Sequence, residues 1–285
     1  MGPLRICRYT LKTDAAAAPK VGVYDEAGVR DVTAAVETLP ALRWPLPMGD
    51  QFIANLDRLR PELERLAAGA APTPIDQVRL LSPVANPGKL ICGMGNWKHH
   101  GAPAGLMGFG FKATSALADP SDPVQIRWPD RVTMHEPELG VIIGRTCTAI
   151  TEAQALDHVA GYTCAFDTTM KEVKETYSFC KSVDTFATYG PCFVTADQVP
   201  DPAALGYRFW VNEDLRGERS FADLTGSPAQ LIAFASTTMT LYPGDILMMG
   251  AADVGPLAPG DVMALEIAGI GRLEVNIVLS PHARG

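Results

Sequence analysis

Glu136 and Glu138 stand two residues apart in front of an apolar run. If this stretch is a strand, its period of two places both carboxylates on one face and Leu139, Val141 and Ile143 on the other. Two neighbouring anions repel each other unless a positive charge lies between them. A divalent cation such as Mg²⁺, Mn²⁺ or Ca²⁺ suits hard oxygen ligands. The spacing alone is weak evidence, since a Glu-x-Glu pair is more often a solvated strand face.

A third carboxylate strengthens the metal interpretation. Asp167 ends the next strand-like run, residues 159–166, and could join Glu136 and Glu138 around one divalent cation, for which Mg²⁺ is our first expectation. Other polar side chains that could do chemistry follow in the same part of the chain: His100, Lys112, Lys171, Lys174, Lys181 and Asp184. Taken singly, a lysine is usually solvated and a histidine is more often a surface residue than a catalyst.

The composition limits the classes of function. The chain has 285 residues, 47% hydrophobic and 20% charged, as expected of a globular protein of one large domain or a large and a small one. A net charge of −8 and a pI near 5.1 argue against nucleic acids and anionic membranes as partners. The sequence predicts no membrane span and no signal peptide. Six scattered cysteines predict buried free thiols and a cytoplasmic location.

The chain divides into two predicted units. Residues 1–80 form a small N-terminal α/β domain, with a strand at 21–24 and helical apolar spacing from 52 to 68. The stretch 82–88 contains two prolines and a glycine and predicts a linker. Residues 88–285 then form the larger domain, which we expect to be catalytic.

The larger unit is predicted to be rich in strands. Residues 89–93 and 159–166 read as strands, and Thr151 to Gln154 fits a helix capping box. Pro-Gly-Asp turns at 243–245 and 259–261 each introduce an apolar run, at 246–249 and 262–267. No glycine-rich phosphate loop is present. We therefore expect an α+β fold dominated by β-structure.

An ordered set of short motifs resembles the fumarylacetoacetate hydrolase family. The set begins with Asn-Trp-x-x-His and Phe-Lys, continues through Glu-x-Glu-Leu, Gly-Tyr…Asp-x-Thr and Lys-x-x-Asp-x-Phe…Gly-Pro, and ends with Val-Asn and Leu-x-Pro-Gly-Asp followed by glycine. The matching positions are 96–100, 111–112, 136–139, 161–169, 181–191, 211–212 and 241–250. Each piece is weak, but the order is specific, and the resemblance extends from about residue 88 to the C-terminus.

The resemblance implies a fold, a metal site and an activity. The fold is a roll of mixed β-sheets with a smaller N-terminal domain, commonly as a homodimer. Glu136, Glu138 and Asp167 would hold the divalent metal, which chelates a small anionic keto or diketo acid of the kind met in the catabolism of aromatic compounds. His100 matches the family's water-activating base, and Lys181 adds positive charge beside the enolate. The remaining candidates would bind substrate: Lys112, Lys171, Lys174, Asp184 and Gly250.

The sequence also departs from the family pattern. Pro103 stands where many bacterial members have a glutamate that orients the histidine, and the stretch from His100 to Lys112 is short for a lid. Lys171 and Lys174 replace an arginine and a glutamine, so carboxylate recognition must differ. The Gly-Thr-Pro loop that receives a substrate carboxylate is here Gly-Ala-Ala at 250–252, and an expected glutamine is glycine at position 217.

Three functions remain open at this level. The first is a metal-dependent hydrolase that cleaves a C–C bond in a β-diketo acid of the acylpyruvate or fumarylacetoacetate type. The second uses the same metal and enolate without water attack, as a β-keto acid decarboxylase, tautomerase or hydratase, and the missing glutamate favours it. The third is a non-catalytic binding protein with a decayed site, against which the candidate site residues argue.

Overall fold

A computed structural model describes residues 4–14, 16–100, 108–171 and 177–284. Among these residues, strands far outnumber helices, as the sequence predicts. No helix in the described ranges is long and apolar enough to cross a membrane. All six cysteines are free and buried, which confirms the prediction of buried thiols.

The elements follow one another along the chain with short connections. The strands are β1 (Arg5–Leu11), β2 (Lys20–Asp25), β3 (Gly28–Asp31), β4 (Val78–Leu81), β5 (Leu90–Gly93), β6 (Phe109–Lys112), β7 (Leu117–Ala118), β8 (Val124–Ile126), β9 (Thr133–His135), β10 (Pro137–Ile143), β11 (Val159–Asp167), β12 (Thr169–Met170), β13 (Ala187–Thr195), β14 (Gly206–Val211), β15 (Asp214–Ser220), β16 (Ile246–Met248), β17 (Gly255–Leu257), β18 (Val262–Ile267) and β19 (Gly271–Leu279). The helices are α1 (Gln51–Ala54), α2 (Leu56–Gly69), α3 (Glu152–Ala155), α4 (Tyr177–Lys181) and α5 (Pro228–Thr238).

The strands of the described residues form three sheets. The largest runs β3-β2-β1-β13-β11-β10-β16-β5-β6, with β4 added at β1 and β7 at β13. A small sheet has the order β12-β9-β17, and a third has the order β15-β14-β18-β19-β8. Most neighbours are antiparallel, but β16 with β5, β13 with β7, and β19 with β8 are parallel. The sheets are therefore mixed, as expected.

Strand β10 lies between two apolar cores, which is why it is buried along its whole length. Leu139, Val141 and Ile143 face one core, and Ile142 faces the other. A strand covered on both faces reads as a continuous apolar run rather than an alternating one. This burial fixes the register of β10, because a slip by one residue would turn Glu138 into the opposite core.

The N-terminal segment contains the predicted helix, now divided in two. Asp50 caps α1 by accepting hydrogen bonds from the backbone N–H groups of Phe52 and Ile53. Leu59 and Leu63 of α2 are buried, as the helical spacing predicts. Strand β1 pairs with β4 and also with β13, so the segment shares a sheet with the rest of the chain. The predicted division between residues 80 and 88 stays a prediction.

Candidate metal centre and cleft

Three carboxylates converge because of the pairing between β10 and β11. Glu138 pairs with Ala165, and the backbone N–H of Asp167 donates to the carbonyl of Glu136 at 3.0 Å. Residues directly opposite in an antiparallel pair project to the same face, and so do residues two apart in one strand. Glu136, Glu138 and Asp167 each offer an oxygen within 4.8 Å of the others. The structure thus brings together the predicted ligand set.

Lys181 lies at the end of α4 and holds two of these carboxylates. Its ammonium group donates to Glu136 at 2.8 Å, to Asp167 at 2.5 Å and to the hydroxyl of Thr169 at 2.7 Å. A lysine has three N–H donors, and these three contacts use them all. The side chain is buried, so its charge acts at short range in a medium of low polarity.

Lys112, the last residue of β6, approaches Asp167 from the other side. Its buried ammonium group forms an ion pair with the Asp167 carboxylate and donates to the carbonyl of Thr168 at 2.8 Å. The structure therefore places this lysine beneath the carboxylates. Its predicted contact with substrate stays a prediction, while its contact with Asp167 was not foreseen from the sequence.

Gly250 supports Glu138 through its backbone. Its N–H donates to one Glu138 oxygen, and its carbonyl accepts from the indole of Trp97 at 2.7 Å. The φ of Gly250 is +95°, and a Cβ there would lie 3.2 Å from both Asn96 Cβ and the carbonyl oxygen of Gly93. Glycine is needed at this position because side chains disfavour that φ. Its predicted role in binding substrate stays a prediction.

The pKa values of the carboxyl groups divide according to their partners. Burial raises the pKa of Glu138 well above its ordinary value, and the nearby Asp167 charge adds to the effect. Burial also raises the pKa of Glu136, against the opposing attraction of Lys181. Burial acts on Asp167 in the same direction, but the ammonium groups of Lys112 and Lys181 outweigh it and hold the Asp167 pKa below its ordinary range.

These residues fit a hard divalent cation. Three carboxylates face two ammonium groups, which leaves one negative charge in surplus. The second oxygen of Glu138 is buried and has no hydrogen-bond partner among the described residues. A buried carboxylate oxygen without a partner costs free energy, and coordination to a cation removes that cost. We call this set the floor of the site: Glu136, Glu138, Asp167, Lys112 and Lys181.

A cleft of about 280 Å³ opens above Glu136. Its size is near the lower end for ligand pockets, which suits a small molecule. Thr169 and Glu136 lie at its base. We call the outer lining the mouth of the cleft: His100, Lys171, Ala251 and Val254.

His100 lies at the mouth in a single turn of 3-10 helix, Lys98–His100. Its ring packs edge-on against that of His99, with centroids 4.2 Å apart. Partial burial, and then the charges of His99 and Lys171, lower the pKa of His100, which favours the neutral form that can accept a proton. No ion pair between described residues involves His100. Pro103 falls outside those residues, and the intervening stretch 101–107 contains no acidic residue.

The other predicted substrate-binding residues are scattered. Lys171 is exposed at the mouth, and its backbone N–H donates to the carbonyl of Val132 at 2.8 Å. Lys174 falls outside the described residues. Asp184 forms an ion pair with Arg127 at 2.8 Å and is not among the described residues that line the cleft. A direct contact between Asp184 and substrate stays a prediction without geometric support.

Two supporting features escaped the sequence analysis. Thr169 was seen only as part of a motif, yet its hydroxyl accepts a hydrogen bond from Lys181. Asp253 was not considered, although it accepts hydrogen bonds from Tyr207 and Arg219 beside the cleft wall. Both contacts join segments distant in sequence, and nothing in the local pattern around these residues indicates them.

Comparisons with known proteins agree with this architecture. Residues 93–278 match the family model described as fumarylacetoacetate (FAA) hydrolase C-terminal. A maleylpyruvate hydrolase from Aquipseudomonas alcaligenes is 35% identical over 275 residues, covering 89% of this chain and 92% of that protein. A mitochondrial oxaloacetate tautomerase from Xenopus laevis is 31% identical over 81% of this chain and 75% of that protein.

A solved structure is similar over nearly the whole chain. It is the maleylpyruvate hydrolase from Sphingobium sp. SYK-6 in complex with manganese (II) ion and pyruvate, with a TM-score of 0.84 and 35% identity. The match covers 97% of this chain and 99% of that one. The sequence motifs, the mixed sheets and these matches lead to one conclusion: the chain belongs to the fumarylacetoacetate hydrolase family.

Proposed function

We propose that the protein is a divalent-metal-dependent hydrolase that cleaves a C–C bond in an acylpyruvate, with maleylpyruvate as the leading substrate. The observation that carries the proposal is the floor of three carboxylates and two ammonium groups beneath a small cleft with a histidine at its mouth. The two maleylpyruvate hydrolases at 35% identity support the choice of substrate. Mg²⁺ is our first expectation, and the manganese in the relative supports Mn²⁺ as the alternative.

The floor would bind the keto acid end of the substrate. A divalent cation held by Glu136, Glu138 and Asp167 would supply positive charge for the 2-keto acid oxygens and for the negative charge that develops during cleavage. Once the cation is bound, the floor carries a surplus of one positive charge, which favours an anionic ligand. Lys181 would keep Glu136 and Asp167 apart in a fixed geometry and add its own charge to the same field.

His100 would act as the general base. It would take a proton from water, whose oxygen attacks the acyl carbonyl carbon of the substrate. The bond between that carbon and the methylene carbon of the pyruvyl group then breaks. The acyl part leaves as a carboxylate, and the pyruvyl part takes up a proton to become pyruvate. The neutral imidazole favoured by its surroundings is the form this step requires.

The second candidate is a β-keto acid tautomerase, decarboxylase or hydratase. The specific observation in its favour is that His100 has no carboxylate partner among the described residues, so the water-activating part of the site is weakly built. These reactions bind the same keto acid group but need no activated water. The tautomerase among the relatives supports this alternative. In either case we expect a homodimer, following the resemblance.

One experiment separates the two candidates. The metal-loaded protein is incubated with maleylpyruvate, other acylpyruvates and oxaloacetate, and the products are identified by mass. For the hydrolase we expect pyruvate and maleate from maleylpyruvate, with a rate that falls about 10²–10⁴-fold in His100→Ala, as is typical for loss of a general base. The matched control is His282→Ala, at an exposed histidine near the C-terminus. Cleavage by His100→Ala at the wild-type rate would replace the hydrolase with the second candidate.

A further inference from the structure

One wall of the cleft is the segment 250–255, which is fixed by its backbone only at its two ends. At one end, Gly250 contacts Glu138 and Trp97. At the other end, Gly255 begins β17 and pairs with His135 of β9. Ala251 and Val254, between these anchors, line the cleft. We call this segment the alanine wall, after Ala251 and its neighbour at position 252.

Asp253 anchors the middle of the alanine wall. Its carboxylate accepts a hydrogen bond from the Tyr207 hydroxyl at 2.7 Å and from the Arg219 guanidinium at 2.7 Å. The Asp253 side chain is only 9% exposed, whereas that of Arg219 is 45% exposed. Charge-assisted hydrogen bonds are stronger than neutral ones, particularly where water is partly excluded. The wall is thereby tied to the hairpin of β14 and β15.

Gly217 makes room for this anchor. A Cβ at position 217 would lie 2.0 Å from an Asp253 carboxylate oxygen, so any side chain there would displace the carboxylate. The hairpin carries a bulge at this point, since Phe209 pairs with Gly217 and Trp210 pairs with Leu215. The position where the resemblance predicts a glutamine therefore holds a glycine for a physical reason. The space beside it is filled by Asp253.

The alanine wall leaves recognition of a second anion to the opposite side. Neither Ala251 nor Ala252 has a side-chain hydrogen-bond donor, so this side of the cleft offers an apolar surface. Lys171 and His100 lie at the same mouth and are the described basic side chains there. A keto acid bound at the floor would place a short carbon chain against the wall and a second carboxylate near Lys171.

We propose that Asp253 is a positioning residue that holds the alanine wall in place, with Gly217 providing its room, and so selects dicarboxylic acylpyruvates with a short apolar chain. This selectivity rests on the proposed hydrolase function. The anchoring itself rests on the contacts of Asp253 alone and can be measured without turnover. Asp253 acts through the backbone at Ala251 and Val254 rather than by touching the substrate.

The test compares Asp253→Ala, Asp253→Asn, Arg219→Gln and Gly217→Ala with a control on the same strand, Glu218→Gln, whose side chain is 66% exposed. Amide hydrogen exchange is measured on the full chain. Loss of a charged hydrogen bond predicts exchange about tenfold faster in residues 250–255, with residues 136–143 unchanged. Arg219→Gln keeps the test valid should Asp253→Ala fail to fold, because Arg219 is largely exposed.

Steady-state kinetics complete the test. For Asp253→Ala and Gly217→Ala we expect the KM for maleylpyruvate to rise about tenfold, with kcat little changed, and the KM for oxaloacetate to move less than about twofold. Asp253→Asn should retain part of the wild-type behaviour, since an amide can still accept from Tyr207. Unchanged exchange in residues 250–255, or an equal rise in KM for both substrates, would overturn the proposal. If the wild-type protein cleaves no acylpyruvate, the hydrolase function and the selectivity built on it are wrong, while the exchange rates still decide whether Asp253 anchors the wall.

Discussion

The floor and the mouth of the cleft are built in opposite ways. At the floor, Glu138, Asp167, Lys112 and Lys181 are between 1% and 4% exposed, and each contacts at least one other polar group. At the mouth, by contrast, His100 and Lys171 are exposed. The floor is therefore fixed by many simultaneous contacts and the mouth by few. This difference indicates that the floor carries the chemistry common to the family, whereas the mouth adapts to one substrate.

The same contrast governs the size of electrostatic effects. Charges buried in the floor interact in a medium of low effective polarity, where removing one partner leaves the other with a large desolvation cost. Charges at the mouth are screened by water and salt. Substitutions in the floor should therefore change stability, and substitutions at the mouth should change substrate affinity or pH dependence.

The largest expected effect is that of Lys112→Met. This change removes one of the two buried ammonium groups and leaves Asp167 paired only with Lys181. Breaking a buried ion pair from one side costs about 3–5 kcal/mol. We expect a loss of that size in the free energy of unfolding, measured by urea denaturation in the presence of chelator at neutral pH.

The control for this prediction is Lys98→Met. The Lys98 side chain is 62% exposed, and its nearest carboxylate is 3.9 Å away, so the change should lie within about 0.5 kcal/mol. A loss below about 1 kcal/mol for Lys112→Met would show that the floor tolerates an unbalanced charge. The distinction between the two regions would then fail.

Much of the floor could be predicted from the sequence, because its ligands follow local patterns. The period of two places Glu136 and Glu138 on one face, and the apolar run to Asp167 predicts the neighbouring strand. The helix of residues 52–68 and the capping box at Thr151 were confirmed in the same way. These features depend on spacing within one element, which the sequence displays directly.

The contacts between distant segments could not be predicted. Lys112 meets Asp167, and Asp253 meets Arg219 and Gly217, only because sheets and loops bring them together. Pairing over such separations depends on strand order and register, which no local pattern encodes. The residues that support the site were therefore missed, although those thought to bind the metal were found.

A smaller effect is expected at the mouth from Lys171→Met. The lysine is exposed, so its attraction for a second substrate carboxylate is screened by solvent. We expect the KM for maleylpyruvate to rise about three- to tenfold while kcat changes little, because the contact exists before and during the reaction. The difference from wild type should shrink in high salt. Lys12→Met, at another exposed lysine, is the control, and equal kinetics for both variants would show Lys171 to be a solvated charge.

The smallest expected effect concerns the pH dependence set by His99. Partial burial and then the charges of His99 and Lys171 hold the pKa of His100 below its ordinary value. As the pH falls, His100 therefore stays neutral to a lower pH than a free histidine would, and the acid limb of kcat/KM should begin below that ordinary value. His99→Gln removes one of these charges, so the limb should move upward by a few tenths of a pH unit. The rate on the alkaline plateau should stay unchanged.

The pH profile of His99→Gln also distinguishes the two enzymatic candidates. A hydrolase that uses His100 to activate water should show the shifted limb with maleylpyruvate, and His282→Gln should leave the profile as in wild type. Oxaloacetate decarboxylation or tautomerisation needs no such base and should not respond to His99. An identical shift with both substrates would mean that His99 acts on binding rather than on water activation. An acid limb that does not move with maleylpyruvate would remove His100 from the role of general base and leave the chemistry to the floor alone.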